Sequence, residues 1–235
     1  MVIKQIYSPL VAGEVSGEAL IFKRGLGNFL DEIRQSVLQN TLLISPKKTV
    51  TKKGGQTGNI ALAAQMNKAI GASLKSLGWG PRKAPGASGF TATLDWYKAA
   101  HSGLSYGPAN LGLGLEVQFG NNFQFEADLK RLSEAIIANE IVAGVCIVVS
   151  DELAKYKADR GAHFSSEKSK MDRFLSILHG SGAATLPGFL LIGVSQDGFT
   201  ENLEGLFKLE APIYDNLKGV RGGPIKYESF GNLKA

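Results

Sequence analysis

LGLGLEVQF, residues 111–119, alternates leucine, valine and phenylalanine with glycine, glutamate and glutamine. Period two sends Leu111, Leu113, Leu115, Val117 and Phe119 to one face of a strand and Gly112, Gly114, Glu116 and Gln118 to the other. Downstream, VAGVCIVV (142–149) and GFLLIGV (188–194) are continuous apolar runs, which read as strands buried on both faces. Residues 122–139 carry Phe125, Leu129, Leu132 and Ile136 on one helical face. Ser150 is placed to cap a helix in SDELAKYKAD, and residues 166–179 read as a further helix through Met171, Phe174, Leu175 and Leu178, stopped by Gly180. Strand and helix in alternation predict an α/β fold, a central mixed β-sheet flanked by helices.

Upstream the signals are sparser. TATLD (91–95) is a short strand candidate. Residues 25–40 place Leu26, Phe29, Leu30, Ile33, Val37 and Leu38 on one helical face, and Ser45-Pro46 then breaks the pattern. Residues 59–77 read as a second helix. Two stretches, KKTVTKKGGQTG (47–58) and GWGPRKAPGASGF (78–90), are basic and rich in glycine and so read as loops. No repeat divides the 235 residues, which suit a single domain.

Composition narrows the function. Hydrophobic residues at 44% and charged residues at 20% exclude a disordered chain. Cys146 is the single cysteine, so an internal disulfide and a cysteine-based zinc site are excluded, and a small core residue is expected there. No apolar run reaches the roughly 20 residues of a membrane span. The first 20 residues lack the apolar core of a secretory signal, so a cytoplasmic location is expected. The net charge of +5 is uneven: residues 33–94 carry nine bases and no acid, whereas residues 1–32 sum to −1 and residues 95–235 to −3. Lys47, Lys48, Lys52, Lys53, Arg82 and Lys83 lie in the two basic stretches. Concentrated positive charge favours a phosphate polyanion, since neutralising phosphates releases condensed counterions. GGQTGN (54–59) lacks the lysine and hydroxyl of a P-loop, and the glycines at 112–114 lie within a strand, so no nucleotide cofactor is expected.

Glu116 and Gln118 share one face of an otherwise apolar strand. A carboxylate on a half-buried strand is costly unless it binds something. A divalent metal is one solution, with Asp95 at the end of the preceding strand as a second carboxylate and the Val117 carbonyl nearby. Such a site suits phosphodiester hydrolysis. The spacing is equally compatible with Glu116 as a solvent-facing residue of a sheet with one wet face, and it does not separate a nuclease from other Mg²⁺ enzymes.

DWYK (95–98) followed by LGLEVQFGN (113–121) resembles the active-site signature of the BamHI/BglII group of type II restriction endonucleases. There an Asp in a D-x-x-K-like segment precedes a Glu-x-Gln or Glu-x-Glu strand, a variant of the PD-(D/E)xK nuclease core. The order of helix 122–138, strand 142–149 and helix 150–158 is similar too, and ADRGAHF (158–164) resembles an Asp-Arg element that lies in the DNA major groove. The resemblance covers roughly residues 90–195. The excursion between Asp95 and Glu116 is longer than in these relatives. The resemblance implies a restriction-endonuclease-like core with Asp95 and Glu116 as metal-binding acids and Gln118 in the third catalytic position. It implies base reading by Asn121, Asp159 and Arg160, the last two on a G·C pair, where arginine contacts guanine and aspartate accepts from cytosine. It further implies Mg²⁺, double-stranded DNA with a palindromic site, and a homodimer whose two-fold axis matches that site. The basic stretches would embrace the DNA backbone, and the apolar seam of helix 122–138 would serve either the core or a dimer interface. Two rivals stand beside this reading: a non-catalytic DNA-binding protein on a nuclease fold, and a repair or structure-specific metal-dependent nuclease.

Overall fold

The computed structural model describes residues 1–11, 15–44, 62–85, 91–99, 112–119, 124–156, 163–182 and 187–199. In chain order the elements are β1 (Val2–Tyr7), β2 (Leu10–Val11), β3 (Val15–Ser16), α1 (Gly17–Lys23), α2 (Gly27–Leu38), β4 (Leu43–Ile44), α3 (Leu62–Ser76), β5 (Gly80–Pro85), β6 (Thr91–Ala99), β7 (Gly112–Gln118), α4 (Phe125–Ile137), β8 (Ile141–Val149), α5 (Asp151–Ala154), α6 (Phe164–Gly180), β9 (Phe189–Ser195) and β10 (Gly198–Phe199).

The apolar runs dictate the centre of the sheet. β8 and β9 are apolar on both faces, so both faces must be covered, and the six-stranded order β1-β9-β8-β7-β6-β5 places them inside it. β7, β8 and β9 run parallel, while β1 pairs antiparallel with β9, β6 with β7, and β5 with β6. The sheet is therefore mixed. On one face Leu113 and Leu115 of β7 and Val145, Ile147 and Val149 of β8 pack with Leu30, Ile33 and Val37 of α2 and Met66, Ile70 and Leu74 of α3. On the other, Ile141, Cys146 and Val148 of β8 and Leu191 of β9 pack with Phe125, Leu129 and Leu132 of α4 and Met171 of α6.

The glycines of β7 belong to this second face, and they set its geometry. A Cβ on Gly114 would lie 2.8 Å from Ile141 and 3.0 Å from Leu132, and one on Gly144 of β8 would lie 2.9 Å from Leu132. Their absence lets α4 settle directly onto the sheet. Fully burying a side chain such as Leu132 contributes roughly 1.5–3 kcal/mol. The face that could have been wet is thus roofed by a helix. The apolar seam of α4 is used up in the core, with Phe125, Leu129 and Leu132 fully buried, and so does not supply a dimer surface.

Other readings shift. Residues 80–85, read within a loop, form β5 at the edge of the sheet, where Pro81 is tolerated because an edge strand has N–H groups to spare. The strand read over 91–95 continues to Ala99. Among the described residues of SDELAKYKAD, Asp151–Ala154 is helical, with the Ser150 hydroxyl accepting from Leu153 N–H. α6 runs through Gly180, and its left-handed turn comes at Gly182 (φ 77°). β1 and α1 had no sequence reading. The basic stretch 47–58, Asn121, Asp159, Arg160 and the tail beyond residue 199 lie outside the described residues.

Candidate active site

The site forms where β6 and β7 part. Their antiparallel ladder runs from Ala99↔Gly112 to Trp96↔Leu115 and stops. Continued by one step, it would set Asp95 opposite Glu116. On its other edge β6 carries an extra residue at this point: Gly80 pairs with Tyr97 but Arg82 with Leu94, so two residues of β5 span three of β6. Such a bulge bends a strand and re-aims the side chains around it. Val117 N–H, which has no ladder partner on β6, donates instead to Asp95 Oδ2 at 3.2 Å. The exposed Asp95 carboxylate is thereby tied to the backbone between Glu116 and Gln118.

Glu116 is 1% exposed. Its Oε1 lies 3.3 Å from Arg131 Nε, while its Oε2 is buried and receives no donor. Burial pushes the Glu116 carboxyl up to about 9. The neighbouring Asp95, with which a protonated Glu116 would share a hydrogen bond, and Asp128 push the same way against the pull of Arg131. Gln118, also buried, donates from Nε2 to Asp128 Oδ2 at 3.1 Å. Asp128 Oδ1 in turn accepts from Arg131 Nη2 at 2.5 Å. Burial raises Asp128 as well, with Arg131 and the Gln118 amide opposing.

The structure therefore brings together three of the expected residues, Asp95, Glu116 and Gln118, with Val117 joined through its N–H. It adds two that the sequence reading missed, Asp128 and Arg131 of α4. Helical period alone could have found Asp128: it falls on the face of Phe125, Leu129 and Leu132, a charge on an apolar face just like Glu116 on its strand. Lys98, last residue of DWYK, is not in the cluster. Its Nζ binds both Glu32 carboxylate oxygens, at 2.8 and 2.7 Å, and the Leu77 carbonyl at 2.7 Å, and so moors β6 to α2 and to the turn after α3. Arg82 and Lys83 lie on β5. His163 stands at the N-cap position of α6, and its side chain pairs with Asp151 at 3.1 Å.

Among the described residues no three His, Cys, Asp or Glu side chains converge as a ready-made metal cage. The donors still suit a hard cation. Asp95 and Glu116 offer carboxylate oxygens, one of them buried without a partner, and Mg²⁺ is commonly held by one or two carboxylates plus waters and substrate phosphate.

Residues 19–194, three quarters of the chain, match the family model described as restriction endonuclease BglII/BglIII. The chain belongs to this family. It is a type II restriction endonuclease, a site-specific deoxyribonuclease acting on double-stranded DNA. The matched span contains every residue of the carboxylate cluster, and the six-stranded mixed sheet with helices on both faces agrees with a restriction-endonuclease fold. A search of the curated proteins finds no match. Among the described residues no helix of the endonuclease is long and apolar enough to cross a membrane.

Proposed function

We propose that the endonuclease hydrolyses phosphodiester bonds with Mg²⁺ at a palindromic site, acting as a homodimer with one active centre per strand. The observation that carries this reading is the Glu116 carboxyl, buried with an undonated oxygen beside Asp95 where β6 and β7 part. Two acids forced together at that cost call for a cation. Asp95 and Glu116 would hold it, with the Val117 carbonyl beside them. When bound, Mg²⁺ lowers the pKa of a water and offsets charge on the phosphate in the transition state.

The remaining steps belong to the chain's own groups. Asp95, tied to Val117 N–H, keeps its carboxylate aimed across the fork. Gln118 commits its N–H to Asp128, which holds the amide beside the two acids. Asn121, Asp159 and Arg160 would read bases, the last two on a G·C pair. Lys47, Lys48, Lys52, Lys53, Arg82 and Lys83 would hold phosphates without regard to sequence. Two-fold symmetry of the protein would match that of the site. Ile137 on α4 and Ile177 on α6 are exposed apolar residues that a second copy could cover.

The test is plasmid digestion with and without Mg²⁺, followed by sequencing of the new ends. Discrete fragments that need Mg²⁺, share one symmetric end sequence and vanish in Glu116→Gln support the reading. A smear, or cutting that survives chelation of divalent ions, overturns it. Light scattering of the free and DNA-bound protein decides the homodimer.

A further inference from the structure

Arg131 spans two carboxylates from its place on α4. Its Nη2 lies 2.5 Å from Asp128 Oδ1, whereas its Nε lies 3.3 Å from Glu116 Oε1. Both acids are nearly inaccessible, at 1% and 4% side-chain exposure, while Arg131 is 31% exposed. The guanidinium is thus anchored on Asp128 and only lightly engaged with Glu116, and it can reach solvent. The charged groups acting on Glu116 are Asp95 and Asp128, which repel it, and Arg131, which attracts it. A second cation at the Glu116 carboxylate would meet the guanidinium as a like charge at close range. The contact it would have to break is the long one.

We infer that Arg131 is the resident hydrogen-bond partner of Glu116 in the metal-free enzyme, and that a divalent cation binds at Glu116 in competition with it. Arg131 swings off Glu116 and stays tethered to Asp128, so the acid cluster is never left uncompensated. Arg131 is a positioning residue in this account, and it acts through Glu116. Because it is anchored rather than free, its return also resets the site after the cation leaves. The inference rests on the proposed metal role of Glu116, and its test separates the two.

The test measures Mn²⁺ binding to the full chain without DNA, from the loss of the free Mn²⁺ resonance, at several pH values up to about pH 9, so that the affinities compared are those of the deprotonated Glu116. Wild type, Glu116→Gln and Arg131→Met are compared. Binding by wild type, its loss in Glu116→Gln and roughly tenfold tighter binding in Arg131→Met are expected, the size of one charge-assisted hydrogen bond. A merely structural arginine gives the opposite sign, because a loosened Glu116 holds the ion less well. Equal or weaker binding in a folded Arg131→Met overturns the inference while leaving the metal site standing. Absence of Mn²⁺ binding in every protein overturns the metal role and the inference together. Should the methionine variant fail to fold, Arg131→Gln, whose amide can still donate to Asp128, carries the same expectation.

Discussion

Two acids stand near the carboxyl ends of neighbouring parallel strands and live in opposite worlds. Glu116 on β7 is buried, with one long contact to a guanidinium and one oxygen that receives nothing. Asp151, just past β8, has a donor for every lone pair that matters. Gln5 Nε2 at 2.8 Å and Ser165 Oγ at 2.5 Å serve Oδ2, while Ser165 N–H at 3.0 Å and His163 Nδ1 at 3.1 Å serve Oδ1. Its own N–H donates back to Gln5 Oε1 at 3.0 Å. Burial alone would raise Asp151, but Gln5, Ser165 and His163 hold it down at about 2. The sheet thus places carboxylates at one edge and treats them in two ways. A satisfied acid fastens α5, β1 and the start of α6 together. An unsatisfied one is kept poised for a ligand, the pattern expected where chemistry is done.

The sharpest way to break this comparison is to remove the charge from each acid in turn. Glu116→Gln should lower the cleavage rate by roughly a thousandfold or more, with the fold intact, because the group that meets the reacting phosphate is gone. Asp151→Asn should leave the rate per folded molecule within about tenfold of wild type. Single-turnover cleavage of a cognate duplex decides it. Similar losses in both variants would erase the distinction drawn here.

Asp128→Asn comes next in size. The asparagine can offer Gln118 an oxygen or Arg131 an oxygen but no longer a charge to both, and it adds a donor where two donors already point. Single-turnover cleavage should slow by about 10- to 100-fold, as expected for a lost charge-assisted contact of about 1.5–3 kcal/mol behind the reacting groups. An unaffected rate would show that Gln118 needs no orienting.

Stability should answer in the other direction. Asp151→Ala removes the acceptor for four donors at a partly exposed site and should cost about 1–2 kcal/mol, allowing for water that replaces some of them. Glu116→Gln should cost nothing or stabilise the metal-free protein, since it deletes a buried acid held by one long contact and with one oxygen that receives no donor. Urea unfolding midpoints of the two variants against wild type test this, and a destabilised Glu116→Gln would contradict the account of the site.

How much of this contrast could be read from the chain follows from which periodicities the elements keep. The facing of Glu116 and Gln118 was legible because β7 obeys period two, and its burial was foretold by the glycines beside it once α4 is placed over them. Asp95 was legible as the nearest upstream acid, but its convergence depends on the β6–β7 register, which the sequence does not mark. Lys98, three residues on, falls on the opposite face of the strand and goes to Glu32 instead of the site. β5 was missed because an edge strand with Gly80 and Pro81 shows no apolar alternation. Asp128 was missed although period 3.6 exposes it, because α4 was read only for its apolar seam, and Arg131 because it lies off that seam. Asp151 was passed over because its partners, Gln5 and Ser165, come from elements remote in the chain.

The smallest expected effect is also the one with a sign that separates the two acids, the dependence of stability on pH. Asp151 has a folded pKa below its ordinary 3.8, at about 2. Its contribution is present in full above about pH 4 and fades as pH falls toward 2, because the unfolded chain takes up the proton first. Glu116 has a folded pKa raised from 4.5 to about 9. Between those values the folded protein holds a proton that the unfolded chain has released, so stability falls as pH rises through that window. Measured without divalent ions, the stability advantage of wild type over Asp151→Asn should therefore shrink on the acid side only. The difference between Glu116→Gln and wild type should grow in favour of the variant from about pH 5 to pH 9. Added Mg²⁺ should flatten that second trend, since a cation on Glu116 takes the place of the proton, and should leave the first untouched.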